Sequence, residues 1–505
     1  MFDVHDQAAY DALQAKLVPL WKSIEKLNAD EQTIVVVPSA EVDFELTASQ
    51  LQAYEERYLF LLLLLRQPRA RMIYVTGQAI HPDIVDYYLD LMPGVISSHA
   101  RKRLYLLSPQ EATPRPLSQK LLERPRVLEQ IRSLIIDPDR AHLVPFMASW
   151  KDRELAMRLG IPMYGADPKD SALGTKSAGR RLFAEAGIPH PPGRENLHTR
   201  DDVIAAITDL RAHHAGLAQV VVKHNEGVSG FGNATIELTG LPAADAAEAA
   251  GAIGQRLDAL PIELPGGTVD DYFGLLAEEG GIVEELIEAE EIRSPSVQLR
   301  ITPAGIVELL STHDQILGGD SGQVFIGSRF PADAAYAGEI SSHAIKVADL
   351  LAARGVIGRF ALDFVVGRSG SESWSVSAIE INLRKGGTTH PFLTLQFLTD
   401  GAYDATTGLF TAPGGNHKFY VASDHVVAPG MQAFVPHDVL DLALMKGLHF
   451  DQARQVGSVF HMLSALPVHG QLGVTSVGNS PEDAQQRYDA TIAALTEDAA
   501  AAAGL

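Results

Sequence analysis

At 505 residues, with 46% hydrophobic and 21% charged side chains, the chain has material for two or three domains and lies outside disordered or fibrous compositions. Forty-one basic against 63 acidic residues leave a net charge of −22, which argues against nucleic acid or an anionic membrane as partner, since both require clustered positive charge. With no cysteine, disulfides, thiolate metal sites and a cysteine nucleophile are excluded.

Residues 1–6 lack the basic and apolar regions of a secretory signal, so the cytoplasm is the expected location. Short apolar runs at 33–37, 71–75, 104–107 and 141–146 alternate with helical stretches such as 48–65 and 151–159. That alternation predicts an α/β domain with a parallel sheet over 1–165. The longest apolar run, 58–65, covers eight residues between Arg57 and Arg66. It is far short of the ~20 that cross a bilayer and reads as a buried helix. No glycine fingerprint follows any of these strands, so this domain is not expected to bind nucleotide by itself.

Next, 171–186 reads as a helix stopped by Gly187 and Pro189. Strands at 219–223 and 234–238 form a hairpin around a glycine-rich turn, 241–260 is alanine-rich and helical, and 261–268 is a proline and glycine linker leading to a strand at 281–287. Further on, 297–301 is a strand and 358–366 pairs with 378–384 in a second hairpin. Alternate side chains of a strand share a face, so Glu380, Asn382 and Arg384 project together while Ile379, Ile381 and Leu383 turn to the core. Asp363 can stand opposite them. Two carboxylates and an amide oxygen beside an arginine make a cage for Mg²⁺ with a bidentate donor for phosphate. The plainer reading is an amphipathic edge hairpin with a solvated charged face, and only partners elsewhere in the chain tip the balance. The tail, with candidate strands at 458–463 and 473–477, reads as a further α/β unit ending in an alanine-rich stretch.

In their order and spacing these segments resemble the ATP-grasp superfamily over roughly residues 165–400. The resemblance implies an α/β chain of the α+β ATP-grasp kind. An N-terminal parallel-sheet domain (1–165) precedes two antiparallel-sheet subdomains that clasp ATP, a smaller lid (166–280) and a central unit with the metal site (281–414), followed by a C-terminal ligase-family domain (415–505). Lys176 matches the family's first ATP lysine and Lys223 its second. Gly227, Ser229, Gly230 and Gly232 match the loop that closes over the triphosphate, where glycine lets backbone amides approach phosphate oxygens. Glu284, Glu285, Leu286 and Ile287 match the adenine hinge, with either glutamate facing the base, and Glu291 the ribose contact. Asp363, Glu380 and Asn382 match the magnesium ligands, and Arg384 the arginine two residues past the asparagine. A narrower resemblance, carried by 223–234, 382–391 and 459–463, is to the pheganomycin-type peptide ligases, which join a carboxylic acid to an amino group.

That resemblance implies an ATP- and Mg²⁺-dependent ligase, with Mn²⁺ able to substitute, which activates a small carboxylic acid as an acyl phosphate and couples it to an amine such as an amino acid or peptide. Lys223 and Arg384 are the expected catalytic cations, with Arg300 as an alternative holder of the donor carboxylate or oxyanion. A homodimer is a reasonable expectation for such an enzyme. A kinase on the same fold and a nucleotide-binding regulatory protein remain as alternatives. His313 and His390 are either pocket residues or structural hydrogen-bonding groups, and 318–322 is either a substrate loop or an ordinary turn.

Overall fold

The computed structural model describes residues 3–504 apart from 25–30, 42–45, 215, 228–231, 263–266, 319–321, 323 and 371–372. Its first layer is a parallel sheet of Gln32–Val37 (β1), Ala70–Val75 (β2), Leu104–Leu107 (β3) and Ala141–Pro145 (β4), in the order β3-β2-β1-β4. Every residue of β1 and β4 is buried, as expected when helices cover both faces. The apolar run that follows helix Ala48–Glu56 is not an α-helix as expected but a 3₁₀ segment, Arg57–Arg66, with eight of its ten residues buried. It wedges between the parallel sheet and the C-terminal part of the chain. One core therefore runs from Ile34 and Met72 through Leu59 and Leu62 to Phe460, Leu472 and Leu495.

The second unit is an antiparallel sheet of Gly193–Leu197 (β5), Gln219–His224 (β6), Asn233–Glu237 (β7) and Gly281–Glu285 (β8), ordered β5-β8-β6-β7. The helix expected over 171–186 begins only at Lys176, because the Thr175 hydroxyl caps it by accepting from the Ala178 N–H and the residues before it form a 3₁₀ turn. The helix expected over 241–260 is confined to Ala249–Asp258. A second helix, Val269–Glu279, follows the segment read as a linker.

The third unit is a nine-stranded antiparallel sheet. Its strands are Glu291–Arg293 (β9), Pro295–Ile301 (β10), Val307–Gly318 (β11), Val324–Phe330 (β12), Gly358–Arg368 (β13), Ser375–Asn382 (β14), and, after a small separate hairpin of Ala402–Asp404 (β15) and Leu409–Thr411 (β16), Phe419–Val427 (β17), Gly457–His461 (β18) and Gln471–Gly478 (β19). The order is β14-β13-β10-β11-β12-β17-β19-β18, with β9 on the far end of β13. Helix Ala334–Ala353 buries Ile340, Val347 and Leu351 against β10 and β13. The C-terminal segment, expected as an added α/β unit, has no sheet of its own. It continues the central one through pairs running from Gly327↔Ser423 to Phe330↔Tyr420. Among the described residues no helix is long and apolar enough to cross a membrane.

Candidate active site

The hairpin of β13 and β14 brings the expected metal ligands together. Asp363 stands opposite Glu380 and Ala361 opposite Asn382, and the Asn382 amide donates to Asp363 Oδ2 at 2.9 Å. Local irregularity aims them. On β14, Val376 and Ala378 face the core, which by simple alternation would bury position 380 as well. The register shifts between Asp363 and Phe364, leaving Ile379 as the extra residue of a bulge, so that Ile381 takes the core position and Glu380 and Asn382 turn outward. Ile379 therefore does not join the core as expected. Arg384 lies beyond the strand, in a turn closed by its own N–H to Asn382 O at 2.7 Å, with Nη1 3.3 Å from Lys385 O.

Burial, and then the neighbouring Glu380 carboxylate, push Asp363 up to about 6, against hydrogen bonds from Ser296 and Gln315 and the charge of Arg384, which pull it down. Across from this pair comes Lys176, at the N-terminus of its helix. Its Nζ lies 3.3 Å from Glu380 Oε1 and donates to Gly227 O at 2.6 Å. Lys223, near the end of β6, is ion-paired with the buried Glu284. Glu284 also accepts from Arg180 Nη1 at 3.1 Å, while Glu285 is more exposed and meets His214 at 3.3 Å. Of the two glutamates, Glu284 is thus the one turned towards Lys223.

Other expected site residues lie elsewhere or are engaged. The N–H groups of Glu285 and Leu286 are already donated to Pro192 O and Gln219 O. The Glu291 carboxylate is held by Arg293 (2.7 Å) and Arg368 (2.5 Å). Arg300 is not brought to the carboxylates. Four residues from Ser296, the strand partner of Asp363, it pairs with Glu308 and lies 4.9 Å over the Trp21 ring. That places it about 13 Å away along the strand. Ser229 and Gly230, and residues 319–321 of the expected substrate loop, lie outside the described residues. Gly232 is described at φ +79°, where a side chain would also press on the His224 ring.

Neither histidine stands at the hairpin. His313 is buried among Phe330, Phe392 and Tyr420, its Nε2 2.8 Å from the Tyr420 hydroxyl. His390 joins a buried network that local reading did not find: its Nε2 is 3.0 Å from His461 Nε2, both approach Asp424 Oδ1 (3.2 and 2.7 Å), and Arg57 holds Asp424 Oδ2 at 2.6 Å. Asn225 was also missed. Its Oδ1 accepts from the Ser177 N–H at 2.9 Å and its Nδ2 donates to Glu279 O, so it fastens the Lys176 helix to the end of β6.

The profile of IQCH-like ATP-grasp domains matches residues 170–255 and 268–406, and that of the PGM1 C-terminal domain matches 438–491. The chain is 31% identical over 451 residues to the L-propargylglycine–L-glutamate ligase of Streptantibioticus cattleyicolor, covering 87% of this chain and 89% of that protein. It is 23% identical to IQ motif-containing protein H of Danio rerio, of which it spans 46%. Among solved structures, the biotin carboxylase domain of Hydrogenobacter thermophilus 2-oxoglutarate carboxylase superposes with a TM-score of 0.54 at 12% identity, covering 91% of this chain and 89% of that one. An N5-carboxyaminoimidazole ribonucleotide synthetase superposes with 0.52 at 11%, covering 93% and 98%. At such identities these two show likeness of fold.

Proposed function

The chain belongs to the ATP-grasp family, and from that premise we propose that it uses ATP to activate a small carboxylic acid as an acyl phosphate and couples it to an amine, forming a peptide or amide bond. The supporting observation is the grouping of Asp363, Glu380 and Asn382 on one face of β13 and β14 with the Lys176 ammonium 3.3 Å from Glu380.

A carboxylate resists attack because its charge repels nucleophiles and oxide does not leave. Phosphoryl transfer to one carboxylate oxygen forms a P–O bond, releases ADP and gives the acyl carbon a phosphate leaving group. The amine, once deprotonated, attacks that carbon, and the C–N bond forms as the bond to phosphate breaks. Such transfer needs positioned cations more than a covalent nucleophile. Lys176, Lys223 and Arg384 are the proposed cations. Lys176 and Lys223 are paired with Glu380 and Glu284, from which they would turn to phosphate oxygens.

Asp363, Glu380 and Asn382 form an all-oxygen donor set for Mg²⁺ once the Asn382 amide presents its oxygen, and Mn²⁺ would suit the same ligands. When bound, the ion supplies charge neutralisation to the phosphates. The relative's name joins two amino acids, and amino-acid-sized acid and amine substrates are proposed here also. The cytoplasm as compartment and a homodimer as assembly complete the proposal.

An ADP-release screen of acid and amine pairs, with mass spectrometry of the condensed product, tests it. Glu380→Gln should lower amine-dependent release by about 100-fold or more. Undiminished turnover in that variant would overturn the site, and ADP release indifferent to the amine would point to a kinase.

A further inference from the structure

Away from the hairpin of β13 and β14, a second group of side chains has the donor types and spacing of a metal centre. His390 lies in the first turn of helix Thr389–Thr399, Asp424 lies on β17 and His461 ends β18, and all three are buried. Their ligand atoms lie within 4.8 Å of one another. Three contacts close a triangle: 3.0 Å between the two Nε2 atoms, and 3.2 and 2.7 Å from these to Asp424 Oδ1.

Hydrogen bonds alone do not account for that triangle. The carboxylate oxygen carries no proton and each Nε2 at most one, so no more than two of the three sides are N–H bonds. If both N–H groups point at Oδ1, two donor nitrogens are pressed together at 3.0 Å. Three lone pairs turned to one cation satisfy every side. Atoms 2.7–3.2 Å apart that share an ion at about 2.1 Å subtend roughly 80–100° at it, the facial arrangement of two histidines and one carboxylate. The imidazole centroids are 4.4 Å apart at 66°, farther than their Nε2 atoms, so the rings converge at those atoms rather than stack.

The surroundings support the same reading. Arg57 holds Asp424 by Oδ2 at 2.6 Å and leaves Oδ1, the atom both histidines approach, for the ion, as a carboxylate ligand is commonly steadied through its other oxygen. Gly473 stands opposite His461 in the ladder of β18 and β19, where an added Cβ would come 1.9 Å from His461 Nε2, so only glycine lets the ring lie where it does. Burial brings His390 down to about 3, which keeps its imidazole in the neutral form that binds metal.

We propose that His390, Asp424 and His461 hold a divalent transition-metal ion, zinc by preference, with a position left for water. Imidazole nitrogen selects such ions over Mg²⁺, so this centre is separate from the set of Asp363, Glu380 and Asn382 and stands whether or not that set holds Mg²⁺. The ion joins the helix that follows the Arg384 turn to two strands of the C-terminal part.

Metal analysis of the purified full chain, followed by titration of the chelator-treated chain with Zn²⁺ in excess Mg²⁺, tests it. About one Zn²⁺ per chain should bind with a Kd of about 1 μM or below. His390→Gln and His461→Gln should each weaken it by about 100-fold, whereas Glu380→Gln should leave it unchanged. Anomalous diffraction at the zinc absorption edge, on the parent protein alone, should place the ion between the three ligand atoms, which keeps the proposal falsifiable where a variant fails to fold. Absence of Zn²⁺ binding, an ion seated elsewhere, or affinity that survives both histidine substitutions would each overturn it.

Discussion

Asp363 and Glu380 face each other across two strands, and two carboxyls so placed repel one another when both are ionised. A carboxyl whose folded-state pKa is raised from 3.8 to about 6 contributes fully at low pH and loses that contribution as pH climbs through this window. The difference is worth up to about 3 kcal/mol. Asp363→Asn should therefore raise stability in urea with EDTA at pH 8 by about 1–3 kcal/mol, a gain that shrinks by pH 5, while turnover collapses. Loss of stability at both pH values would refute the electrostatic account. His313 has the opposite sign: burial holds it down to about 3, so below pH 6.5 the unfolded chain gains a proton that the folded one refuses. Between pH 8 and pH 5 this one group should remove about 2 kcal/mol of stability, and urea curves of wild type and His313→Gln should converge by that amount. That Lys176, Asp363 and Glu380 come together was legible from the order of the motifs that carry them. Arg180 and Asn225 were not, since what marks them is a partner brought by another element.

At the level of elements, the phase break in β14 was present in the sequence. Val376 and Ala378 keep one alternation, Ile379 and Ile381 the other, and two apolar residues side by side at 378–379 mark the bulge that joins them. The overlong helix at 241–260 has a similar explanation. Ala249, Ile253 and Leu257 form the buried stripe, and one turn earlier that stripe meets Asp245, so the alanine-rich lead-in has nothing to bury. The missed helix Val269–Glu279 carried a Thr268–Asp271 capping box and the stripe of Tyr272 and Leu276. Strand contacts across units left no local trace. At Gly327, where β12 meets β17, an added Cβ would overlap Ala422 O, whereas at Gly338, inside helix Ala334–Ala353, nothing lies within 4 Å. Gly327→Ala should cost about 1–3 kcal/mol by overpacking, and Gly338→Ala should add about 0.5–1 kcal/mol through helix propensity, opposite shifts in one thermal-melting experiment.

Across the whole molecule, the N-terminal and C-terminal parts are joined by polar contacts over very long sequence separations. Tyr88 donates to Phe460 O at 3.1 Å, Glu56 accepts from the Leu463 and Ser464 N–H groups at 2.6 and 3.1 Å, and Arg57 pairs with Asp424. The last pair is buried on both sides and also carries His390 and His461, so the first layer, the central unit and the C-terminal strands meet at one carboxylate. Composition predicts several domains, but this shared junction ties the C-terminal strands to the rest, and they should unfold with it rather than independently. Asp424→Ala leaves the Arg57 guanidinium buried between the Tyr54 and Phe146 rings with no counter-charge, which should cost about 3–5 kcal/mol in urea unfolding. Replacing both partners, Arg57→Met with Asp424→Leu, removes the stranded charge and should recover most of that loss. A double variant as unstable as the single one would instead assign the energy to the two histidines, whose imidazoles would then be the groups that bind the layers together.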